Sequence, residues 1–314
     1  MKVLVLVDHD RGTLDELTLQ AFTAARSLGT IEAAILGDYE SLAPTVAEYG
    51  AATAHVITHP LLVDYGSEAW ADALVQAMLI SGAQAIVAPG TDRGNEVLAH
   101  VGALLNAPMV ANCVEITAAD GDWSMIRTRW GGSLLEETTL TADRKLVTIT
   151  PHAVVAEPAP AAGTVQRIEV DLDDSVARTI VADRVQAESG LTLQTAPVVV
   201  AGGRGVGSPE NFAALDELAG LIGGAVGCSR VVTNNGWRPH SDQVGQTGNR
   251  VAPDLYIACG ISGAIQHWVG MMGSKRVLAI NTDREAPMVT KADYAVIGDV
   301  NEIIPAVIAA LKAR

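Results

Sequence analysis

A pairing recurs along this chain and leaves few folds open to it: a short unbroken apolar run, then a stretch with apolar residues at helical spacing. Lys2 to Val7 (KVLVLV) reads as a strand buried on both faces, and Thr13 to Leu28 follows with Leu14, Leu17, Ala21, Ala24, Ala25 and Leu28 along one side of a helix. Strand-like runs return at Ile31 to Leu36, His55 to Thr58 and Ala85 to Ala88, with helical stretches at Ser67 to Ile80 and Asn95 to Leu105. Strands without polar alternation need cover on both faces, which parallel α/β architecture supplies. The first half is therefore expected to be doubly wound. From Met109 to Thr150 the pattern shifts to Met125 to Trp130 and Lys145 to Thr150, broken by Gly121, Gly131 and Gly132, which predicts an extension of the sheet.

A chain of 314 residues, 49% hydrophobic and 18% charged, can bury a large core and suits two domains better than one. Its formal net charge of −15 disfavours nucleic acid binding, which needs clustered Lys and Arg to displace counterions. Cys113, Cys228 and Cys259 have no paired spacing, so neither a disulfide framework nor a CxxC metal site is expected, and a reducing compartment is the simpler reading. The first strand begins at Lys2, leaving no room for a signal segment, and no apolar stretch reaches the roughly 20 residues of a membrane helix. The expectation is a soluble, unprocessed, cytoplasmic protein.

The stretch Glu157 to Gly163 (EPAPAAG) is Pro and Ala rich and Asp171 to Ser175 is acidic, so few contacts are expected there. The domain boundary is expected near Ser189, giving domains 1–189 and 190–314.

In the second domain, Pro197 to Ala201 runs into GGRGVG and then into a helix expected to open at Ser208 and Pro209. Gly202, Gly203, Arg204, Gly205 and Gly207 at a strand-to-helix turn would let backbone amides approach a phosphate, although an ordinary turn explains them equally. Glu210 stands where GxGxxG needs its third glycine, so the dinucleotide fingerprint fails. Gly260 to His267 (GISGAIQH) follows another apolar run, Leu255 to Cys259, and puts Ser262 and Gly263 at a helix start. Between the two, Gln243 to Gly248 (QVGQTG) suits a loop laid against a polar heterocycle, with an ordinary polar loop as the plainer reading. Ser229 and Arg230 follow Ala225 and Val226; taken alone, the guanidinium pairs with a surface carboxylate more readily than it covers a flat anionic ligand. His267, read alone, is a packed or solvent-facing histidine. No GxSxG, HExxH or Walker A pattern occurs, which disfavours hydrolase chemistry.

Taken together and in order, GGRG at Gly202, GCSR ending at Arg230, QVGQTG at Gln243, LYIACGISGAIQH ending at His267 and INTDREAPM from Ile280 resemble the electron transfer flavoprotein α subunit. The resemblance is strong over residues 197–314 and weaker over the first domain, through KVLVLVDHDRGTL and the RTRWGG segment at Arg127. It implies an α/β fold in two domains. The N-terminal one is doubly wound and adenine nucleotide alpha hydrolase-like, serving as scaffold and β-subunit contact. The C-terminal one is a parallel-sheet FAD-binding domain of the DHS-like NAD/FAD-binding kind. It further implies a heterodimer with a β subunit that holds AMP or a second FAD, and one FAD in this chain.

Carried over by motif, the resemblance puts Arg204 and Ser229 on the FAD, Arg230 over the isoalloxazine, and Gln243, Val244, Gly245, Gln246, Thr247 and Gly248 at the flavin's polar edge. Ser262, Gly263, Ala264, Ile265 and Gln266 would hold the pyrophosphate and ribityl region, and His267 would approach the flavin C2 carbonyl. Asn281, Asp299 and Val300 would bind the adenosine end. Arg230 and His267 are expected to stabilise an anionic semiquinone. A cation about 4 Å away contributes roughly 4 kcal/mol at an effective dielectric near 20, equivalent to about 170 mV for one electron.

The family implies acyl-CoA and related dehydrogenases as electron donors and a membrane-linked quinone oxidoreductase as acceptor, with no turnover site in the chain itself. Two alternatives stay open: an NADH-linked electron-bifurcating flavoprotein, and a non-redox adenine-nucleotide-binding module. A nicotinamide-dependent dehydrogenase is disfavoured by the missing GxGxxG.

Overall fold

The computed structural model describes residues 1–119, 121–132, 134–182 and 192–313. Contacts divide the chain into two compact units, Met1–Trp130 with Leu134–Val185, and Gly131–Ser133 with Gln186–Arg314. The boundary expected at 189/190 falls within residues 183–191, outside the described residues.

The apolar runs of the first unit are strands because they face two cores at once. The unit contains β1 (Lys2–Leu6), the two-residue pair β2 (His9–Asp10) and β3 (Thr13–Leu14), α1 (Leu17–Ala25), β4 (Thr30–Leu36), α2 (Ala43–Glu48) and β5 (Thr53–Thr58). Then come α3 (Ser67–Ser81), β6 (Ala85–Pro89), α4 (Asp92–Leu105), β7 (Met109–Ala119), β8 (Asp122–Arg129), β9 (Leu134–Leu140), β10 (Lys145–Ile149) and β11 (Thr164–Glu169). Val3 and Val5 of β1 pack with Phe22 of α1, while Leu4 and Leu6 pack with Trp70 and Leu74 of α3 and Val97 of α4. Successive side chains of a strand point to opposite faces, so helices on both sides admit a polar residue only where it finds a partner, as buried Glu32 of β4 does in His55 of β5 at 2.7 Å.

Among the described residues this unit has a nine-stranded sheet ordered β11-β5-β4-β1-β6-β10-β7-β8-β9. It is parallel from β11 to β7, and β8 and β9 extend it antiparallel, as the change of pattern after Met109 predicts.

Two expectations need correction here. The first helix starts at Leu17 rather than Thr13, because Arg11 and Gly12 at φ 49° and 84° turn β2 back onto β3. Asp15 then accepts a hydrogen bond from the Leu17 amide at 2.9 Å. The Pro and Ala rich stretch is not sparsely held. Ala159 and Ala161 donate to the carbonyls of Glu48 and Ala47, Gly163 donates to Ala51, and the chain continues into β11 as an edge strand on β5. Farther on, Asp171 exchanges two hydrogen bonds with the Gln76 amide of α3. β11 escapes a search for apolar runs because five of its six residues are exposed.

The second unit contains β12 (Val198–Gly202), α5 (Phe212–Leu221), β13 (Ala225–Cys228), α6 (Arg230–Asn234), β14 (Leu255–Cys259) and α7 (Ile265–Met271). It ends with β15 (Val277–Asn281), α8 (Pro287–Lys291), β16 (Tyr294–Ile297) and α9 (Val300–Lys312). Its five strands are all parallel, in the order β13-β12-β14-β15-β16. Val200 of β12 faces a core with Phe212 and Leu215 of α5 and Ile304 of α9; Val199 and Ala201 face the opposite core with Tyr256, Met271 and Met288.

The helix expected to open at Ser208 and Pro209 begins at Phe212. Arg204–Val206 form a single 3-10 turn, Gly207 reverses the chain at φ 91°, and the Asn211 side chain donates to the Val206 carbonyl at 2.7 Å. Cys113, Cys228 and Cys259 are buried free thiols, and no helix among the described residues is long and apolar enough to cross a membrane.

Candidate functional site

The second unit fixes where a ligand would sit. Its chain runs from β12 outward to β13, then returns to the other side of β12 to form β14, so the strand order reverses between β12 and β14. In open parallel sheets such a switch point leaves a crevice outside the carboxyl ends of the strands, because the two connections leave toward opposite faces. Gly203 and Arg204 follow β12, Ser229 and Arg230 follow β13, and the Gly260 turn follows β14. Asn281 closes β15, and Asp299 lies two residues beyond β16. The Gln243–Gly248 loop reaches the same edge by a different route: its Val244 amide donates to the Cys228 carbonyl at the end of β13, 2.8 Å away. Candidate residues spread over nearly 100 positions of sequence thus share one edge of one sheet.

The two glycine turns have different roles. In GGRG the Gly203 and Gly205 amides are already used, donating to the Cys259 carbonyl at 2.8 Å and to Gly260 at 3.0 Å, while the Arg204 amide meets no acceptor among the described residues; just beyond, Gly207 donates to Arg204 at 3.1 Å. A Cβ on Gly203 would overlap the Gly260 carbonyl, so glycine here permits backbone to lie on backbone. The two turns therefore differ: the glycine amides of the first are spent on backbone. After Gly260, the amides of Gly263, Ala264, Ile265 and Gln266 find no acceptor among the described residues, and the α7 N-cap, Ala264, has no side chain to supply one. Free amides at a helix start form an anion cradle.

Two arginines stand at the strand ends on one side of that cradle, Arg204 after β12 and Arg230 after β13. Arg204 and Arg230 are exposed, and neither forms an ion pair among the described residues, in a chain with 36 acidic residues against 21 basic ones. The surface ion pair favoured for Arg230 from its local sequence does not form. Ser229 caps the start of α6 with extended backbone at φ −81°, ψ 158°, but its hydroxyl makes no capping bond.

In QVGQTG the first residue is spent on structure. Gln243 is 1% exposed; its side-chain oxygen accepts from Thr233 at 2.8 Å and its nitrogen donates to the Thr247 hydroxyl at 3.0 Å. The Gln246 amide donates to the Gln266 carbonyl of α7 at 2.7 Å, leaving the side chains of Gln246 and Thr247 exposed. This loop lies directly on α7, and a Cβ on Gly270 would strike the Gly245 backbone.

His267 sits in the first turns of α7 but points inward and is 7% exposed. Its Nε2 lies 2.9 Å from the hydroxyl of the fully buried Tyr256 of β14, and its Nδ1 has no hydrogen-bond partner. Burial drives its pKa down to about 4, with the neighbouring Val244 backbone opposing the shift, so the ring is neutral at physiological pH. His267 is thus a neutral hydrogen-bonding group, and the cations at this edge are Arg204 and Arg230.

At the far end, Asn281 donates to the Ile261 carbonyl at 3.0 Å and accepts from the Asp283 amide at 3.1 Å, bracing the cradle's turn. Asp299 caps α9 by accepting from Asn301 at 2.8 Å, and Val300 beneath it is buried. Two residues of interest escape motif reading: Tyr256, hidden in an apolar strand, and Arg250, half-buried, without an acidic partner among the described residues, its pKa lowered by burial. An arginine inside a loop sequence carries no sign of its own burial.

The first unit has its own switch point between β1 and β6, and there the protein supplies the anion itself. The Asp8 carboxylate accepts from Thr91, the N-cap of α4, at 2.6 Å, and Arg93 donates to the His9 carbonyl at 3.1 Å while covering the Tyr65 ring.

Comparison with known proteins agrees with this division. Residues 3–175 match the electron transfer flavoprotein domain, and residues 192–272 match the electron transfer flavoprotein FAD-binding domain, which spans the cradle, both arginines and the Gln243–Gly248 loop. The chain is 37% identical to the electron transfer flavoprotein subunit alpha of Mycobacterium tuberculosis, over 100% of its own length and 99% of the relative's. It is 36% identical to the protein FixB of Azorhizobium caulinodans, covering 99% of this chain and 89% of the relative, and 33% identical to the subunit alpha of Bacillus subtilis, covering 97% and 95%. Whole-length similarity and a nucleotide-type edge inside the matched FAD-binding domain lead to one conclusion: the chain belongs to the electron transfer flavoprotein α-subunit family.

Proposed function

We propose that this chain is the FAD-carrying half of a heterodimeric electron carrier, with one FAD in its second unit and AMP or a second FAD in the β subunit. It takes electrons from primary dehydrogenases such as acyl-CoA dehydrogenases and passes them to a membrane-linked quinone oxidoreductase, working in the cytoplasm without a turnover site of its own. The observation that carries the reading is the amide cradle at Gly263–Gln266, whose amides meet no acceptor among the described residues, at a switch point with two arginines at neighbouring strand ends that form no ion pair among those residues. That donor set suits a pyrophosphate joined to a flat, electron-accepting ring.

Bound FAD supplies one-electron redox chemistry. The chain's own residues bind and tune it. The Ser262–Gln266 turn holds the pyrophosphate, with Arg204 beside it. Asn281, Asp299 and Val300 form the adenosine end. Gln243 braces its loop so that Gln246 and Thr247 face the ring's polar edge, and Arg230 sets a fixed positive charge against it. A preorganised cation stabilises added negative charge without reorganisation cost, which favours storage of a single electron.

The test is a reductive titration of the heterodimer with Arg230→Ala. The expected result is a loss of most of the half-reduced spectrum, with the midpoint for the first electron falling by about 100 mV, somewhat less than the unscreened Coulomb value. Titrations that superimpose on the unaltered protein would defeat the proposal.

A further inference from the structure

Tyr256 lies inside β14 and faces the core with Val199, Ala201 and Met271, and among the described residues its hydroxyl has one hydrogen-bond partner, Nε2 of His267 at 2.9 Å. The pair is closed off from water: Tyr256 is fully buried and His267 is 7% exposed. A buried hydroxyl proton left without an acceptor is costly, so it belongs on the only acceptor within reach. With Nε2 accepting, a neutral imidazole carries its proton on Nδ1. The reverse arrangement, Nε2–H donating to Tyr256, would strand the tyrosine proton and turn an Nδ1 lone pair toward the Val244 backbone, whose carbonyl favours a protonated ring. Nδ1 meets no acceptor at full hydrogen-bond geometry among the described residues, and the Val244 carbonyl of the Gln243–Gly248 loop is its backbone neighbour.

We propose that Tyr256 is a positioning residue: by donating to Nε2 it holds His267 as the Nδ1–H tautomer and so keeps one buried donor ready for an acceptor on the bound flavin ring. The inference rests on the FAD reading for the identity of that acceptor; the tautomer itself is a property of the chain. His267 acts at the ring, and Tyr256 acts through His267. The pattern matches metal-site histidines, where a partner on one ring nitrogen decides what the other offers.

The experiment is nitrogen NMR of the full chain with its β subunit, labelled with 15N-histidine, before and after removal of FAD. In parallel, FAD dissociation and the flavin midpoint potential are measured for Tyr256→Phe and for Tyr294→Phe, a control at an exposed tyrosine in β16. The expected result is a protonated Nδ1 and a bare, hydrogen-bonded Nε2 at His267 in the unaltered protein with and without FAD. In Tyr256→Phe the Nε2 resonance moves, FAD dissociates about five-fold more readily, as for one net hydrogen bond, and the potential shifts negative. The control changes none of these.

A proton on Nε2, or an imidazolium, in the unaltered protein overturns the proposal, and this reading stands even if Tyr256→Phe fails to fold. An unchanged histidine spectrum and potential in a folded Tyr256→Phe also overturns it. A heterodimer that takes up no FAD but shows the Nδ1–H tautomer sinks the FAD reading, and with it the proposed role at the ring, while leaving the tyrosine–histidine bond established.

Discussion

At the scale of single residues, two buried titratable groups push stability in opposite directions with pH. Asp8, 3% exposed, has its pKa raised from 3.8 to about 6 by burial, with the Thr91 hydrogen bond opposing. The folded form therefore keeps its proton up to about pH 6, whereas the unfolded chain releases it near 3.8. Between those values the folded state binds more protons, so Asp8 contributes most below the unfolded value and loses that contribution as pH rises through about 6. A shift of about two units corresponds to roughly 3 kcal/mol of neutral-pH instability. Asp8→Asn keeps an acceptor for Thr91 and removes the charge. Denaturant melts from pH 4 to pH 8 should show the variant gaining about 1–3 kcal/mol over the unaltered protein at pH 8 and nothing at pH 4. A gap that does not change with pH would contradict the assignment. His267 has the opposite sign: its pKa is depressed to about 4, so the folded state loses stability as pH falls from 6.5 toward that value.

At the scale of elements, the site depends on backbone meeting backbone. The turn after β12 lies on the turn after β14, with Gly203 donating to Cys259, Gly205 donating to Gly260, and no room for a Cβ at Gly203. The contact holds the β14 turn in the shape that leaves its next four amides unpaired. Gly203→Ala should therefore cost about 1–3 kcal/mol in thermal unfolding, as overpacking does, and should also reduce flavin content on purification. Loss of stability with full flavin content would mean that the two turns are not coupled. α7 and the Gln243–Gly248 loop approach in the same manner at Gly270.

At the scale of the whole molecule, the formal charge of −15 bears on association. An electron carrier must meet several partners briefly, and complementary charge raises encounter rates without tightening the complex. Electron transfer from a dehydrogenase to the heterodimer should slow at least several-fold between about 0.02 and 0.5 M salt, as the Debye length falls from roughly 20 Å to about 4 Å. A stopped-flow series in salt measures it; rates independent of salt would remove electrostatics from partner choice.

Fold class was legible in the sequence because a strand buried on both faces needs apolar residues at nearly every position, and the buried parts of β1 and β6 obey that rule, while the buried part of β4 departs from it only at Glu32, which is paired with His55 of β5 at 2.7 Å. The same rule failed for β11, an exposed edge strand, and for the start of α5, where a turn set by Gly207 and Asn211 overrides the promising Ser208 and Pro209. The motifs of the candidate site were legible as residues, and the fold brings them to one edge of one sheet. What each motif does was not legible. Sequence places GGRG and GISG on an equal footing, yet hydrogen bonds use up the Gly203 and Gly205 amides of the first, while the Gly263 amide of the second meets no acceptor among the described residues. Sequence leaves His267 packed or solvent-facing, and the structure buries it beside Tyr256, where burial keeps the ring neutral and leaves the charge at this edge to the arginines. Periodicity is a local property and survives in one dimension. Whether a donor is spent or free, and whether a ring is wet or dry, depends on residues far along the chain that only folding brings within 3 Å.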